Sequence, residues 1–319
     1  MTRRPQAIHP LAGIAALAIS AAIAGCSTAA SSGVPATAGP PSAAPAAAVT
    51  TAPSPTTDLL ADIDIGGGRT MHILCVGPID AAKPTVLFES GLGGDAGQFS
   101  DVVHELGGSV RACAYDRAGA GQSPPATLGR TTDDQVTDLR ALLAAAKVPP
   151  PYLLVGYSLG GWNAMVHADR FPDDVVGAVM AEVRPPAASR EWLKLLPPES
   201  TTESEAIKGA RDEATTFDTD PTLNPEGLIL AESADEAIAT KGLGAKPLVV
   251  LASADTTIVS EGFEPALGAK MVDVWWRLQE DLASRSTAGR LDKVTGATHE
   301  IIFERPDAVA AAIREILGS

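Results

Sequence analysis

Short apolar runs recur along the chain from about residue 62 onward, separated by polar stretches and turn-forming residues. Apolar runs of this kind are typical of buried β-strands. The clearest of them cover residues 71–76, 86–88, 110–115, 152–155, 175–181 and 247–254. Helical patterns follow several of these runs, and a segment of about 260 residues is an ordinary size for one domain. The pattern therefore predicts a single α/β domain.

One of these runs, Tyr152–Val155, leads directly into a match to G-x-S-x-G, Gly156-Tyr157-Ser158-Leu159-Gly160. A helix is predicted immediately afterwards. Glycine lacks a Cβ, so the glycines beside the serine allow a sharp turn and close packing of the helix. The turn directs the serine outward, beside the unpaired N–H groups at the helix N-terminus. This is the geometry of a nucleophile elbow, and Ser158 is the candidate nucleophile.

A serine hydroxyl needs a base to accept its proton and an acid to orient that base. Behind an elbow of this type the partners follow in the order serine, acid, histidine. The chain has five histidines, and His299 alone lies downstream of the elbow region, in a loop before the last predicted helix. His167 lies on the helix behind the serine. His299 is therefore the candidate base.

Two carboxylates compete for the role of the acid. Asp255 follows the apolar run 247–254, and Glu182 follows the run 175–181. An acid placed just after a parallel strand faces the crevice where ligands bind in open α/β sheets. We favour Asp255 and keep Glu182 as the alternative.

Three segments resemble the α/β-hydrolase superfamily. The segment 115–123 resembles its D-R-x-G-x-G-x-S loop, 89–94 resembles its S-G-x-G loop, and 275–309 resembles its closing helix, strand, histidine loop and helix. The resemblance is to the branch that holds esterases and prolyl iminopeptidase-like enzymes. It implies a mostly parallel eight-stranded sheet flanked by helices, with a small helical cap at about 184–245. The spacing between Asp255 and His299 is long for this branch, which keeps Glu182 in contention.

The resemblance also implies an oxyanion hole formed by the backbone N–H groups of Leu92 and Leu159. It further implies that the second and fourth strands are neighbours, which brings Cys75 and Cys113 onto adjacent strands. Neither the register nor the face of these strands can be fixed from the sequence. A disulfide and a pair of buried thiols therefore both stay open.

The N-terminal segment reads as a bacterial lipoprotein leader rather than as part of the domain. Residues 1–25 combine a basic start with a short apolar stretch that ends in Ile23-Ala24-Gly25-Cys26, which resembles a lipobox. Residues 26–57 would then hold a lipidated Cys26 and a disordered linker of Ala, Ser, Thr and Pro. We expect an exported protein, held on the cell membrane by its lipid and facing the outside or a periplasm-like space. The hydrolase domain would span 58–319.

The net charge is −15, from 24 basic and 39 acidic residues. This balance argues against nucleic acid as a partner and leaves the lipid anchor as the expected contact with a membrane. No histidine or cysteine cluster has metal-ligand spacing, and Gly66-Gly67-Gly68 lacks the helix that a dinucleotide site requires. We therefore expect no metal and no cofactor. The sequence does not fix an oligomeric state.

These features predict a serine hydrolase that cleaves small-molecule carboxylic esters, or a related acyl bond, through an acyl-enzyme on Ser158. Two alternatives remain. An aminopeptidase or amidase of the same fold would bind the substrate amine through acids of the cap, but the acids there are scattered. The second alternative is a non-catalytic surface lipoprotein that kept the fold for binding. The complete set of catalytic candidates and the oxyanion loop argue against it.

Overall fold

The computed structural model describes residues 58–318. The predicted leader, Cys26 and the linker to residue 57 lie outside the described residues. Within 58–318 there is no helix with the length and apolar character needed to cross a membrane.

The described strands form one eight-stranded sheet in the order β1-β2-β4-β3-β5-β6-β7-β8. β2 runs antiparallel to both of its neighbours, and the pairs from β4 to β8 are parallel. The strands are β1 (Leu59–Gly66), β2 (Arg69–Val76), β3 (Thr85–Glu89), β4 (Ala112–Tyr115), β5 (Tyr152–Tyr157), β6 (Val175–Ala181), β7 (Leu248–Ser253) and β8 (Gly289–Val294). The predicted fold class is confirmed.

Helices cover both faces of this sheet. They are α1 (Ser100–Leu106), α2 (Thr132–Ala145), α3 (Gly160–Arg170), α4 (Ala188–Leu193), α5 (Glu205–Asp212), α6 (Leu230–Ala239), α7 (Thr257–Ser260), α8 (Pro265–Ser284), α9 (Ile301–Glu304) and α10 (Pro306–Leu317). A π-helical turn, Glu213–Phe217, continues α5.

The sheet is buried on both faces, because alternate residues of its central strands enter two different apolar layers. Leu87 and Leu154 pack with α2, α3, α6 and α8, whereas Phe88 and Val155 pack with α1, α9 and α10. A strand that is covered on both sides must be apolar at every position, which explains the uninterrupted apolar runs in the sequence.

The segment between β6 and β7 carries α4, α5 and α6, at the carboxyl edge of the sheet. It packs on α8 through a separate apolar cluster, in which Trp192 and Leu196 contact the side of the helix that bears Met271 and Trp275. The indole of Trp192 also donates a hydrogen bond of 3.1 Å to the carbonyl of Met271. The long helix α8 occupies much of the stretch between Asp255 and His299.

A disulfide joins Cys75 of β2 to Cys113 of β4. The two residues are direct partners in the antiparallel register, with their Cα atoms 4.1 Å apart. Both side chains are fully buried. The bond therefore ties the antiparallel edge of the sheet to the strand that leads into the loop 115–123.

Candidate active site

The turn from β5 into α3 holds Ser158 in a left-handed backbone conformation, with φ at 51°. The turn leaves no room for a side chain at Gly156 or at Gly160. A Cβ added to Gly160 would lie 2.0 Å from the carbonyl oxygen of Glu89, and one added to Gly156 would lie 2.6 Å from the Cα of Gly161. The glycines of the G-x-S-x-G pattern are thus a packing requirement of the turn.

The loop after β8 brings His299 to the serine. The Nε2 atom of His299 lies 3.2 Å from the Oγ atom of Ser158. The neighbouring residue Thr298 anchors the loop, because its backbone N–H and hydroxyl both donate to the Glu304 carboxylate, at 2.6 and 2.9 Å. The ring of Tyr157 packs 5.3 Å from the imidazole. The histidine is therefore held within reach of the serine proton.

Of the two candidate acids, the structure places Glu182 beside His299. Glu182 directly follows β6 in a left-handed conformation, with φ at 46°, and it is buried. Its Oε1 atom lies 4.0 Å from Nδ1 of His299, and its Oε2 atom accepts a hydrogen bond of 2.5 Å from the backbone N–H of Ser253. The hydroxyl of Ser253 donates to the carbonyl of Ala297, at 2.5 Å, so one residue bonds both the acid and the histidine loop.

Asp255 is engaged elsewhere. It is exposed, and its Oδ1 atom accepts hydrogen bonds from the backbone N–H and the hydroxyl of Thr257, at 2.9 and 2.5 Å. Asp255 therefore bonds the first residue of α7, and this geometry corrects the preference for it over Glu182. Both carboxylates follow strands as expected, but the carboxylate after β7 bonds the helix that comes next in the chain, α7.

Burial and charge set the protonation of the histidine and the acid. Burial, with the positive charge of Arg184, lowers the pKa of His299 below its ordinary value. Burial raises the pKa of Glu182 to about 7, although the N–H of Ser253 opposes this shift. At 4.0 Å the two side chains are beyond hydrogen-bond reach. The imidazole is therefore favoured in its neutral form, which is the form that accepts a proton.

Two backbone amides close to the serine have no hydrogen-bond partner among residues 58–318. A Cβ added to Gly91 would lie 3.4 Å from the Cβ of Ser158, so the loop after β3 runs beside Ser158. Within residues 58–318 neither the N–H of Leu92 nor that of Leu159 donates a hydrogen bond. Both amides are free to bind an oxygen that develops negative charge.

A buried ion pair that the sequence analysis missed supports this loop. Arg117, of the D-R-x-G-x-G-x-S match, forms a bidentate pair with Glu226 at 2.7 and 2.8 Å, and both side chains are buried. The guanidinium also donates to the carbonyls of Ser90 and Gly91, at 2.7 and 2.6 Å. The motif could have drawn attention to Arg117, but Glu226 is 109 residues away in a segment without a pattern.

Among residues 58–318 there is no group of three or more His, Cys, Asp or Glu side chains that could hold a metal ion. The groups that meet at the carboxyl edge of the sheet are instead a serine hydroxyl, an imidazole and a carboxylate, beside two backbone amides. Together these groups can carry out proton transfer and stabilise an oxyanion.

Comparison with known proteins agrees with this description. Residues 86–312 match the model of the Alpha/beta hydrolase family. The chain belongs to this family. It is 27% identical over 236 residues to the uncharacterized protein YqjL of Bacillus subtilis (strain 168), a match that covers 73% of this chain and 83% of that protein.

Solved structures show the same hydrolase fold at lower sequence identity. The enol-lactonase from Burkholderia xenovorans LB400 superposes with a TM-score of 0.53 at 18% identity, over 82% of this chain and 100% of that one. A thermophilic esterase from Thermogutta terrifontis superposes with a TM-score of 0.52 at 19% identity, over 82% of this chain and 98% of that one.

Proposed function

We propose that this α/β hydrolase cleaves carboxylic esters, or a related acyl bond, through an acyl-enzyme on Ser158. The observation that carries the proposal is the 3.2 Å contact between Ser158 Oγ and His299 Nε2 at a left-handed elbow. A serine nucleophile with a histidine base is the arrangement used for acyl transfer. The names enol-lactonase and esterase, borne by two proteins of the same fold, fit this chemistry.

The reaction would proceed in two halves. Ser158 Oγ attacks the substrate carbonyl carbon while His299 Nε2 accepts the hydroxyl proton, and the amides of Leu92 and Leu159 bind the resulting oxyanion. The tetrahedral intermediate collapses, and the leaving alcohol takes the proton from His299. Water then attacks the acyl-enzyme with His299 again as the base, which releases the acid and restores Ser158.

In this proposal Glu182 is the group that orients His299. When the imidazole gains its proton, the positive charge attracts the carboxylate 4.0 Å from Nδ1. Apo active sites often have long hydrogen bonds that shorten when substrate is bound. Glu182 would therefore act during the reaction more strongly than its resting distance indicates.

We also propose that the protein is exported and anchored through a lipid on Cys26. The buried disulfide between Cys75 and Cys113 supports this proposal, because such bonds persist mainly in oxidising compartments. In the native host, Cys26→Ser should move the protein from the membrane fraction to the soluble fraction, since the lipid supplies the apolar anchor. Membrane retention of that variant would contradict the proposal.

A fluorophosphonate probe tests the proposed chemistry directly. Wild type should be labelled, Ser158→Ala should not, and Ser260→Ala should be labelled like wild type. A panel of p-nitrophenyl esters and aminoacyl amides then separates an esterase from an amidase or aminopeptidase. If Ser158→Ala is still labelled, or if the wild type is inert toward both the probe and the panel, acyl transfer at Ser158 is wrong.

A further inference from the structure

The amide that Leu92 offers to an oxyanion belongs to the same peptide unit as the carbonyl of Gly91. Since that unit is planar and trans, fixing its oxygen also fixes the direction of its N–H. Arg117 Nη2 donates to this oxygen at 2.6 Å, and Nη1 donates to the oxygen of Ser90 at 2.7 Å. The guanidinium thus determines where the Leu92 amide points.

The next peptide unit, between Leu92 and Gly93, is held by Glu226. Its Oε1 atom accepts a hydrogen bond of 2.7 Å from the N–H of Gly93, while both carboxylate oxygens bind Arg117. Gln135 donates a further bond of 2.6 Å to Oε2. A single buried carboxylate therefore holds both the residue after Leu92 and the cation that holds the residues before it.

The segment that carries Glu226 packs tightly against two loops, the one that contains Gly119 and the one that contains Gly93. A Cβ added to Gly119 would lie 2.3 Å from the carbonyl oxygen of Pro225, and the side chain of Asn224 bonds both the N–H and the carbonyl of Leu228, at 3.0 and 2.8 Å. Pro225 also lies against Gly93, where an added Cβ would be 3.1 Å from its Cγ. Glu226 is thus presented by a fixed backbone.

We propose that Glu226 is a positioning residue for the oxyanion hole, which acts through Arg117 and Gly93 to aim the Leu92 amide. This proposal rests on the proposed function, in which that amide stabilises the transition state. The buried charge of Arg117 also makes the Leu92 amide a stronger donor, because a guanidinium bound to the carbonyl of a peptide unit polarises that unit in a low-dielectric site. Glu226 thereby connects the segment before α6 to the loop after β3.

The test compares Glu226→Gln with Asp138→Asn. Asp138 is an equally buried carboxylate that binds two arginines, Arg69 and Arg130, whose side chains do not bond the loop 90–93 within the described chain. For a p-nitrophenyl ester, Glu226→Gln should lower kcat by about 10- to 100-fold and leave KM within about threefold, because the lost alignment matters only in the transition state. Asp138→Asn should lower the melting temperature and leave kcat unchanged.

A boronic acid inhibitor gives a second readout that a structural defect would not mimic. Its tetrahedral adduct with Ser158 places an oxygen in the oxyanion hole, so its affinity should fall in parallel with kcat in Glu226→Gln. Glu226→Asp, which keeps the charge on a shorter side chain, should recover part of both. If Glu226→Gln loses stability with kcat and boronate affinity unchanged, the positioning role is wrong.

Removing one partner of a buried ion pair can prevent folding, and a double substitution guards against this outcome. Replacing both partners of such a pair by apolar residues is far better tolerated than breaking it. Arg117→Leu with Glu226→Leu should therefore fold, take the fluorophosphonate label slowly, and show the same loss of kcat. A folded double variant with wild-type kcat would overturn the positioning role, whereas a wild type that takes no label would overturn acyl transfer itself.

Discussion

The Nδ1 atom of His299 lies 4.0 Å from Oε1 of Glu182, a residue that follows the strand next to the one bearing Ser158. Ser158 and Glu182 both adopt left-handed backbone conformations, with φ at 51° and 46°. Such conformations are uncommon for residues with side chains and concentrate at functional sites. Two adjacent parallel strands are thus each followed by a residue in this unusual conformation, one presenting a serine hydroxyl and the other a carboxylate.

The first prediction concerns this carboxylate. Glu182→Gln keeps the shape and the bond to Ser253 but removes the charge that would stabilise the imidazolium of His299. We expect kcat to fall by about 10,000-fold, the loss seen when the acid of a triad becomes an amide. Asp255→Asn is the matched control and should change kcat by less than about threefold, since surface substitutions away from a site have small effects. Steady-state kinetics on one ester gives both numbers, and the reverse ranking would restore Asp255 as the acid.

The second prediction concerns the pH dependence of the reaction. His299 must be neutral to act as a base, and burial with the charge of Arg184 lowers its pKa. Arg184→Met removes a positive charge, so protonation becomes easier and the acidic limb of kcat/KM should move to higher pH. Arg190→Met removes another arginine of the same region, which pairs with Asp235 instead, and should leave the limb in place. An unmoved limb in Arg184→Met would contradict the assigned electrostatics.

The third prediction concerns stability. His167 is fully buried between the rings of Tyr152 and Phe171, and neither of its nitrogens has a partner among the described residues. Burial lowers its pKa to about 4 from an ordinary 6.5. The unfolded chain therefore binds more protons between these values, and this residue makes the free energy of unfolding fall as pH drops from about 6.5 to 4, by about 3 kcal/mol in total.

Denaturant unfolding of His167→Met across this range should show a shallower loss at low pH than the wild type. Glu89→Gln should change the pH dependence in the opposite direction. Burial raises the pKa of Glu89 to about 7 from 4.5, so in the wild type this carboxyl lowers the free energy of unfolding as pH rises from about 4.5 to 7. Equal pH slopes for the wild type and His167→Met would show that the imidazole is not buried in its neutral form.

The fourth prediction uses two glycines that occupy different environments. Gly160→Ala would push a methyl group to 2.0 Å from the Glu89 carbonyl, so the start of α3 and the loop after β3 must move apart. We expect a stability loss of about 1–3 kcal/mol and a fall in kcat of about 100-fold. Gly209→Ala, in exposed α5 with no atom within 4 Å of the new Cβ, should stabilise by about 0.5–1 kcal/mol. Thermal unfolding and ester kinetics on both variants test this contrast. Equal changes in stability and in kcat for the two variants would contradict the prediction.

The sequence could predict those features that depend on neighbouring residues. The strand, the turn and the helix around Ser158 are contiguous, so the apolar run and the glycines describe them completely. The fold class could be predicted for the same reason, since each central strand is buried on both faces and therefore forms an uninterrupted apolar run. His299 could be selected because the order of the partners along the chain leaves one histidine available.

The features that could not be predicted depend on how distant segments meet. Asp255 and Glu182 look alike in the sequence, and they differ only in the folded chain, where Asp255 is exposed and bonds Thr257 while Glu182 is buried beside His299. The disulfide required the register that pairs Cys75 with Cys113. Glu226 had no signal at all, because its role exists only where its segment crosses the loop after β3.

The separations along the chain also bear on when the protein becomes active during its synthesis. Ser158 precedes His299 by 141 residues, and Gly93 precedes Glu226 by 133. At ordinary rates of translation, roughly 7 to 28 s pass between the appearance of the serine and that of its base. Throughout this interval the growing chain carries a serine without its base, and for about the first half of it the loop beside that turn also lacks the carboxylate of Glu226. Under the proposed function, competence for acyl transfer would arise only after residue 299 has been added, so a nascent fragment that stops short of it would be inactive.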